Sequence, residues 1–139
     1  MPKIRLVIAE NHPAMLARLC QLMSNDYEVV RTVESGFQAC EAVLELQPDV
    51  VLLDITMPVM DGLQAAQRLR KARCQVKIIL LSVYDDPDFV AAAFSSGADC
   101  YVAKARPGTD LDTAIRIALQ GSHFISRSEA IAELTNGKV

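Results

Sequence analysis

Several things that would tie this chain to a membrane, to nucleic acid or to a metal cluster are missing from it. No apolar segment approaches the roughly 20 residues that a bilayer span requires, and the opening residues carry no signal-peptide pattern. A cytoplasmic, membrane-free location is the expectation. Basic residues are not in excess: 14 Lys and Arg against 17 Asp and Glu leave a net charge of −3. Phosphate contacts need clustered Lys and Arg, so direct nucleic-acid binding by this segment is not expected. The four cysteines (Cys20, Cys40, Cys74 and Cys100) show no paired, metal-type spacing. Each falls inside or beside an expected helix or strand, so reduced, mostly buried thiols are favoured over disulfides or zinc. What is present is ordinary for one globular domain with one core: 139 residues, 51% hydrophobic and 22% charged.

Apolar runs and helical spacings alternate along the chain. Strands are expected over residues 4–9, 27–33, 49–54, 76–81 and 100–103. The second carries Glu28 and Arg31, which suits an edge. Pro13 suits a first helical position, with Asn11 or His12 as the cap, and Met15, Leu16, Leu19, Leu22 and Met23 follow at helical spacing. Ser35 with Gln38, and Asp61 with Gln64, have capping-box spacing. Gln47-Pro48 stops the second helix. The third, over residues 63–72, is expected to turn Gln67, Arg68, Arg70 and Lys71 to solvent. Asp86-Pro87 opens a fourth helix that Gly97 ends, and Thr109 with Asp112 opens a fifth reaching about Gln120. Strand–helix repeated five times argues for a parallel sheet with helices on both faces. Beyond Gly121, residues 122–139 read as a linker or C-terminal extension, with Ser126 and Glu129 spaced to cap one short helix through Leu134.

One stretch organises the rest: Asp49-Val-Val-Leu-Leu-Asp54-Ile-Thr-Met-Pro-Val-Met-Asp61-Gly62. The apolar run reads as a strand buried on both faces. It ends at Asp54, at the carboxyl lip where open parallel sheets do their chemistry. The nine residues from Asp54 to Gly62 resemble the phosphoacceptor segment of bacterial response-regulator receiver domains, in which that first Asp is phosphorylated. The resemblance runs over residues 3–121 in order and spacing. His12-Pro13 and Gly97-Ala-Asp-Cys-Tyr-Val-Ala-Lys104 are most similar to the NarL/FixJ (LuxR-type) members, which often carry a C-terminal DNA-binding domain.

The resemblance implies a flavodoxin-like (βα)5 doubly wound sheet of order 2-1-3-4-5, residues 1–121 forming the receiver domain. It implies roles for matching residues: Asp54 as phosphoacceptor, Ser82 and Lys104 on the phosphoryl oxygens, and Tyr101 as an aromatic switch. Glu10, Asn11, Asp54 and the Thr56 backbone carbonyl would hold magnesium. A sensor histidine kinase would be the donor, docking on the helix that starts at Pro13. The face around Phe89, Phe94 and Tyr101 would serve output and homodimerisation. The domain would take part in phosphoryl chemistry without being an enzyme on a separate substrate.

Two positions depart from the family pattern. The usual acidic pair is Asp-Asp, and here it is Glu10-Asn11. Magnesium prefers charged oxygens in tight octahedral geometry, so a neutral amide weakens it. Losing one acid also removes a repulsion of roughly 4 kcal/mol at about 4 Å and an effective dielectric of about 20, so Asp54 ionises more readily than beside two acids. The second departure is Ala105 where Pro usually follows the Lys. The pair Glu10-Asn11 also motivates an alternative, a receiver-like interaction module regulated without phosphorylation. A phosphatase working through an aspartyl-phosphate is disfavoured, because the usual general acid two residues after the nucleophile is Thr56. A flavin-binding flavodoxin is disfavoured too: Glu10-Asn11-His12-Pro13 lacks a phosphate-cradling run of Gly or Ser/Thr.

Overall fold

The computed structural model describes residues 2–84, 86–105 and 107–126. Six parallel strands form one sheet: β1 (Ile4–Ala9), β2 (Tyr27–Val33), β3 (Val50–Asp54), β4 (Lys77–Ser82), β5 (Cys100–Ala103) and β6 (Phe124–Ile125). Their order is β2-β1-β3-β4-β5-β6, the 2-1-3-4-5 order with one strand added. Five helices connect them: α1 (Pro13–Met23), α2 (Gly36–Leu46), α3 (Gly62–Lys71), α4 (Pro87–Ser95) and α5 (Pro107–Leu119). This is a flavodoxin-like doubly wound fold.

The unbroken apolar runs follow from both faces of the sheet being covered. Val7, Val51, Leu53, Ile78 and Leu80 pack with α2, α3 and α4 through Ala39, Val43, Ala66, Leu69 and Ala93. Their alternates Leu6, Ile8, Leu52, Ile79 and Leu81 pack with α1 and α5 through Leu19, Met23, Leu111 and Ile115. β2 lies at the edge, with Glu28 and Arg31 exposed. Cys40 and Cys100 are buried and Cys20 and Cys74 half-buried, all four as free thiols. Burial pushes the Cys100 thiol up to about 11.

Helix starts follow the capping chemistry with two exceptions. The Asp61–Gln64 box closes in both directions. Ser35 accepts the Gln38 amide, and Asp86 accepts that of Phe89 with Pro87 just inside the helix. Gln47, at φ 50°, ends α2, and Gly97, at φ 102°, follows α4. At α1 the cap is His12, whose side chain makes no capping bond. α5 begins at Pro107 rather than Thr109, so Thr109 lies inside it.

Two further expectations are corrected. Arg70 does not face solvent. Its guanidinium donates to the carbonyls of Gly97, Cys74 and Val76 at 2.7–2.9 Å and to Asp99 at 2.8 Å. The end of α3 meets the start of β4 there, and these open carbonyls need a donor. The sheet also continues past Gly121. β6 pairs with β5 through Cys100↔Phe124 and Tyr101↔Ile125. The Ser126 hydroxyl donates to Asp110 at 2.7 Å and accepts from the Ala103 N–H at 2.8 Å. The helix expected from Ser126 to Leu134 lies outside the described residues.

Two glycines pin the segment after Asp54. A Cβ on Gly62 would stand 2.4 Å from the Asp54 carbonyl oxygen, and one on Gly36 would stand 2.3 Å from that of Met60. Backbone bonds complete the clamp: Gly62 N–H to Ile55, Ile55 N–H to Leu81 and Gly36 N–H to Met60, at 2.8–2.9 Å. Because the obstructing atoms are backbone, Gly62→Ala is expected to cost about 1–3 kcal/mol, the usual range for overpacking. Urea unfolding measures it, and an unchanged midpoint would show that the α3 start can move away without penalty.

Candidate functional site

Strand ends bring the predicted residues to one mouth. Asp54 ends β3, Ser82 ends β4, Glu10 follows β1 and Lys104 follows β5. The registers Ala9↔Leu53, Asp54↔Leu81 and Ser82↔Ala103 set these ends side by side. All four are buried, with exposures of 2% for Asp54, 1% for Ser82, 0% for Glu10 and 9% for Lys104. The Lys104 ammonium lies 2.9 Å from Asp54 Oδ2 and 2.9 Å from Glu10 Oε1. The Asp54 contact is a directed hydrogen bond. The Glu10 contact is an ion pair without good hydrogen-bond direction. The Lys104–Ala105 bond is trans, and Lys104 reaches the mouth without a proline behind it.

Burial sets the electrostatics and its neighbours correct them. Asp54 is pushed above the usual carboxylate range by burial first and by the Glu10 charge; Lys104 and the Thr56 N–H, at 3.2 Å from Oδ1, oppose this. For Glu10, burial pulls upward, but Lys104 and the His12 backbone and ring donors outweigh it and hold the group low. Burial would lower Lys104, yet its two carboxylate partners hold it above its usual value. Two carboxylates against one ammonium leave one negative charge in excess. A buried site with that balance attracts a cation.

The other predicted positions fall as follows. Asn11 is half-buried, and its Oδ1 is buried with no hydrogen-bond partner. A lone buried carbonyl oxygen costs about 1–3 kcal/mol unless a donor or a cation meets it. The donor set and this orphaned oxygen therefore fit a divalent ion. Thr56 is exposed and touches Asp54 through its N–H. Ser82 Oγ accepts the Tyr84 N–H at 2.9 Å. Tyr101 is not part of a surface: its ring is fully buried and its hydroxyl donates to the Tyr84 carbonyl. Tyr84 stacks on Phe89 with ring centroids 4.4 Å apart, and Phe89 and Phe94 are half-buried. One residue was missed. His12, read only as a helix start, places Nδ1 3.0 Å from Glu10 Oε2, and its backbone N–H lies 3.1 Å from the same oxygen. Its spacing, two residues after an acid at a strand end, was the available signal.

The sheet order and the buried Asp54–Lys104–Glu10 group together describe a receiver-type signalling domain. Residues 6–116 match the response regulator receiver domain family, and the chain belongs to it. Its relatives are of the NarL/DegU type. The uncharacterized transcriptional regulatory protein YvfU of Bacillus subtilis (strain 168) is 37% identical over 125 residues, covering 88% of this chain and 62% of that protein. The transcriptional regulatory protein DegU of Brevibacillus brevis is 33% identical, covering 88% of this chain and 53% of its own length. The chain thus spans little more than half of these relatives. Among solved structures, the signal receiver domain of the putative response regulator NarL from Mycobacterium tuberculosis superposes with TM-score 0.83 at 30% identity, covering 87% of this chain and 99% of that one. A LuxR-family DNA-binding response regulator from Staphylococcus aureus gives 0.79 at 30%, covering 84% and 98%. Among the described residues, no helix is long and apolar enough to cross a membrane.

Removing the ammonium should expose the cost of the two acids. Glu10, held low, stabilises the fold above the ordinary carboxylate value of about 4.3 and loses that effect as pH falls through its lowered pKa. Lys104, held high, stabilises below about 10.4 and loses that effect as pH rises through its raised pKa. Asp54, held high, acts in the opposite sense to Glu10: its neutral form favours the fold, and that help fades as pH rises through its raised pKa. Lys104→Met is therefore expected to cost about 3 kcal/mol at pH 7. The loss should shrink toward pH 4 as the acids take up protons. Urea unfolding at the two pH values checks this, and an equal loss at both would contradict the account.

Proposed function

We propose that Asp54 accepts a phosphoryl group from the phosphohistidine of a sensor histidine kinase. The observation that carries this reading is the strand-end carboxylate of Asp54, held against the Lys104 ammonium at 2.9 Å beside the buried Glu10. A carboxylate oxygen attacks phosphorus, the P–N bond breaks, and the leaving imidazole takes up a proton. Lys104 then balances the added charge on the phosphoryl oxygens, and the Ser82 hydroxyl donates to another. Glu10, Asp54, the Asn11 side chain and the Thr56 carbonyl would hold a divalent cation, which supplies charge neutralisation at the transferring group.

The route outward is drawn in hydrogen bonds. Ser82 Oγ holds the Tyr84 N–H, and the Tyr84 carbonyl holds the Tyr101 hydroxyl. Drawing the Ser82 hydroxyl toward a phosphoryl oxygen moves Oγ away from the Tyr84 N–H it accepts and frees the Val83–Tyr84 segment, where Val83 is 71% and Tyr84 43% exposed. That makes Tyr101 the switch of a two-state surface rather than part of it at rest. The half-exposed edge of α1 serves as the kinase-docking surface, and a second copy of the chain is a partner for the switched face. The curated relatives named above are transcriptional regulatory proteins, which supports a transcriptional output and a cytoplasmic place of work. The chain acts as phosphoacceptor and not as an enzyme on a separate substrate.

Incubating the chain with acetyl phosphate and a divalent cation tests the reading. Intact mass should show one phosphoryl adduct on the wild type and none on Asp54→Asn. A wild type without adduct would favour regulation without phosphorylation. Asn11→Asp restores a second acid beside Asp54, and calorimetric titration should then show magnesium bound about tenfold more tightly, the effect of a further charged oxygen ligand. Unchanged affinity would remove Asn11 from the cation site.

A further inference from the structure

We infer that His12 is a ligand of the cation site, so that the site takes a divalent transition ion in preference to magnesium. Glu10, His12 and Asp54 each offer one ligand atom, and all three atoms lie within 4.8 Å of one another. His12 Nδ1 stands 3.0 Å from Glu10 Oε2. As the fold stands that contact is a hydrogen bond; it is also close to the separation of adjacent octahedral ligands with bonds of about 2.1 Å, so an ion would take the place of the shared proton. The other oxygen of Glu10, Oε1, and Asp54 Oδ2 are taken by Lys104. Lys104 therefore stands behind the ligands and orients both carboxylates, as outer partners do in metal sites.

A second, separate observation comes from the residue between two of these ligands. Asn11, between Glu10 and His12 in the chain, has a buried Oδ1 with no partner. Its amide oxygen is a neutral donor to a cation. The set is then two carboxylates, one amide and one imidazole. Magnesium seeks octahedral oxygen and keeps its waters, whereas imidazole suits nickel, zinc, iron and copper. The amide at position 11 weakens the case for magnesium, and the ring at position 12 strengthens that for an ion accepting nitrogen. Both features push selectivity the same way. The ring makes no capping bond at the start of α1, so its one polar contact there is the pair with Glu10 that an ion would take over.

The inference rests only on the cation-binding half of the proposed function, and it is read by binding alone, so a failure of acetyl phosphate labelling leaves it intact. Calorimetric titration of the full chain with Ni2+ and with Mg2+, on wild type and His12→Ala, tests it. The wild type is expected to bind one Ni2+ at least tenfold more tightly than Mg2+. His12→Ala should lose that preference, its Ni2+ affinity falling at least tenfold more than its Mg2+ affinity. The His12 side chain is 64% exposed, so the variant should still fold cooperatively, which differential scanning checks. Equal Ni2+ and Mg2+ affinities in the wild type would overturn the inference, and so would a Ni2+ preference that survives in His12→Ala, since other groups would then be holding the ion.

Discussion

Everything at the mouth of this sheet turns on one ammonium between two buried acids. Two carboxylates taken from water together repel each other and lose solvation, and neither loss is recovered unless a cation lies within a few ångströms. Lys104 meets both from the far side of β4. Its reach depends on strand order: only with β3 between β1 and β4, and β5 next beyond, do Glu10, Asp54 and Lys104 converge. The doubly wound topology is thus an electrostatic arrangement as much as a packing one. It leaves one negative charge uncompensated, a balance suited to a cation.

A charge balance of this kind needs walls that do not yield. The segment between Asp54 and α3 is held by backbone bonds and by close approaches at Gly36 and Gly62, where side chains would collide with carbonyls. Within it Val59 sits at φ 68°, a left-handed conformation that a β-branched residue adopts at a cost, and it is 88% exposed with no packing to offset that cost. The strained residue is tolerated because its neighbours on both sides are fixed. Stiffness next to Asp54 contrasts with the Val83–Tyr84 segment, which is tied to Ser82 and to Tyr101 by one hydrogen bond each and exposes its side chains.

The strands of the core were plain in the sequence because burial on both faces writes an unbroken apolar run, as in Val50–Asp54. Helix starts at Gly36, Gly62 and Pro87 were plain because caps are local chemistry. The strand order was not: periodicity is silent on which strands pair, and the order came through likeness to the receiver family. β6 escaped notice because a two-residue strand has no period, and its pairing with β5 depends on residues more than twenty positions away. Arg70 was misjudged for a related reason, since a charge on a helix face looks solvated until the carbonyls of another element are known. Of the site, Asp54, Ser82, Lys104 and Glu10 were legible as strand ends. His12 was not, because its partner is set by the turn after β1 and by no repeat in the chain.

The bond between Ser126 and Ala103 reaches further than its size suggests. Ala103 is the residue before Lys104, and Ser126 directly follows the short sixth strand. The same hydroxyl grips Asp110 in α5. If the backbone under Lys104 shifts to follow a new charge, the departing chain must travel with it or let go. The strand that carries Lys104 is thereby geared through one hydroxyl to both β6 and α5, so a movement of any one of the three is felt by the other two.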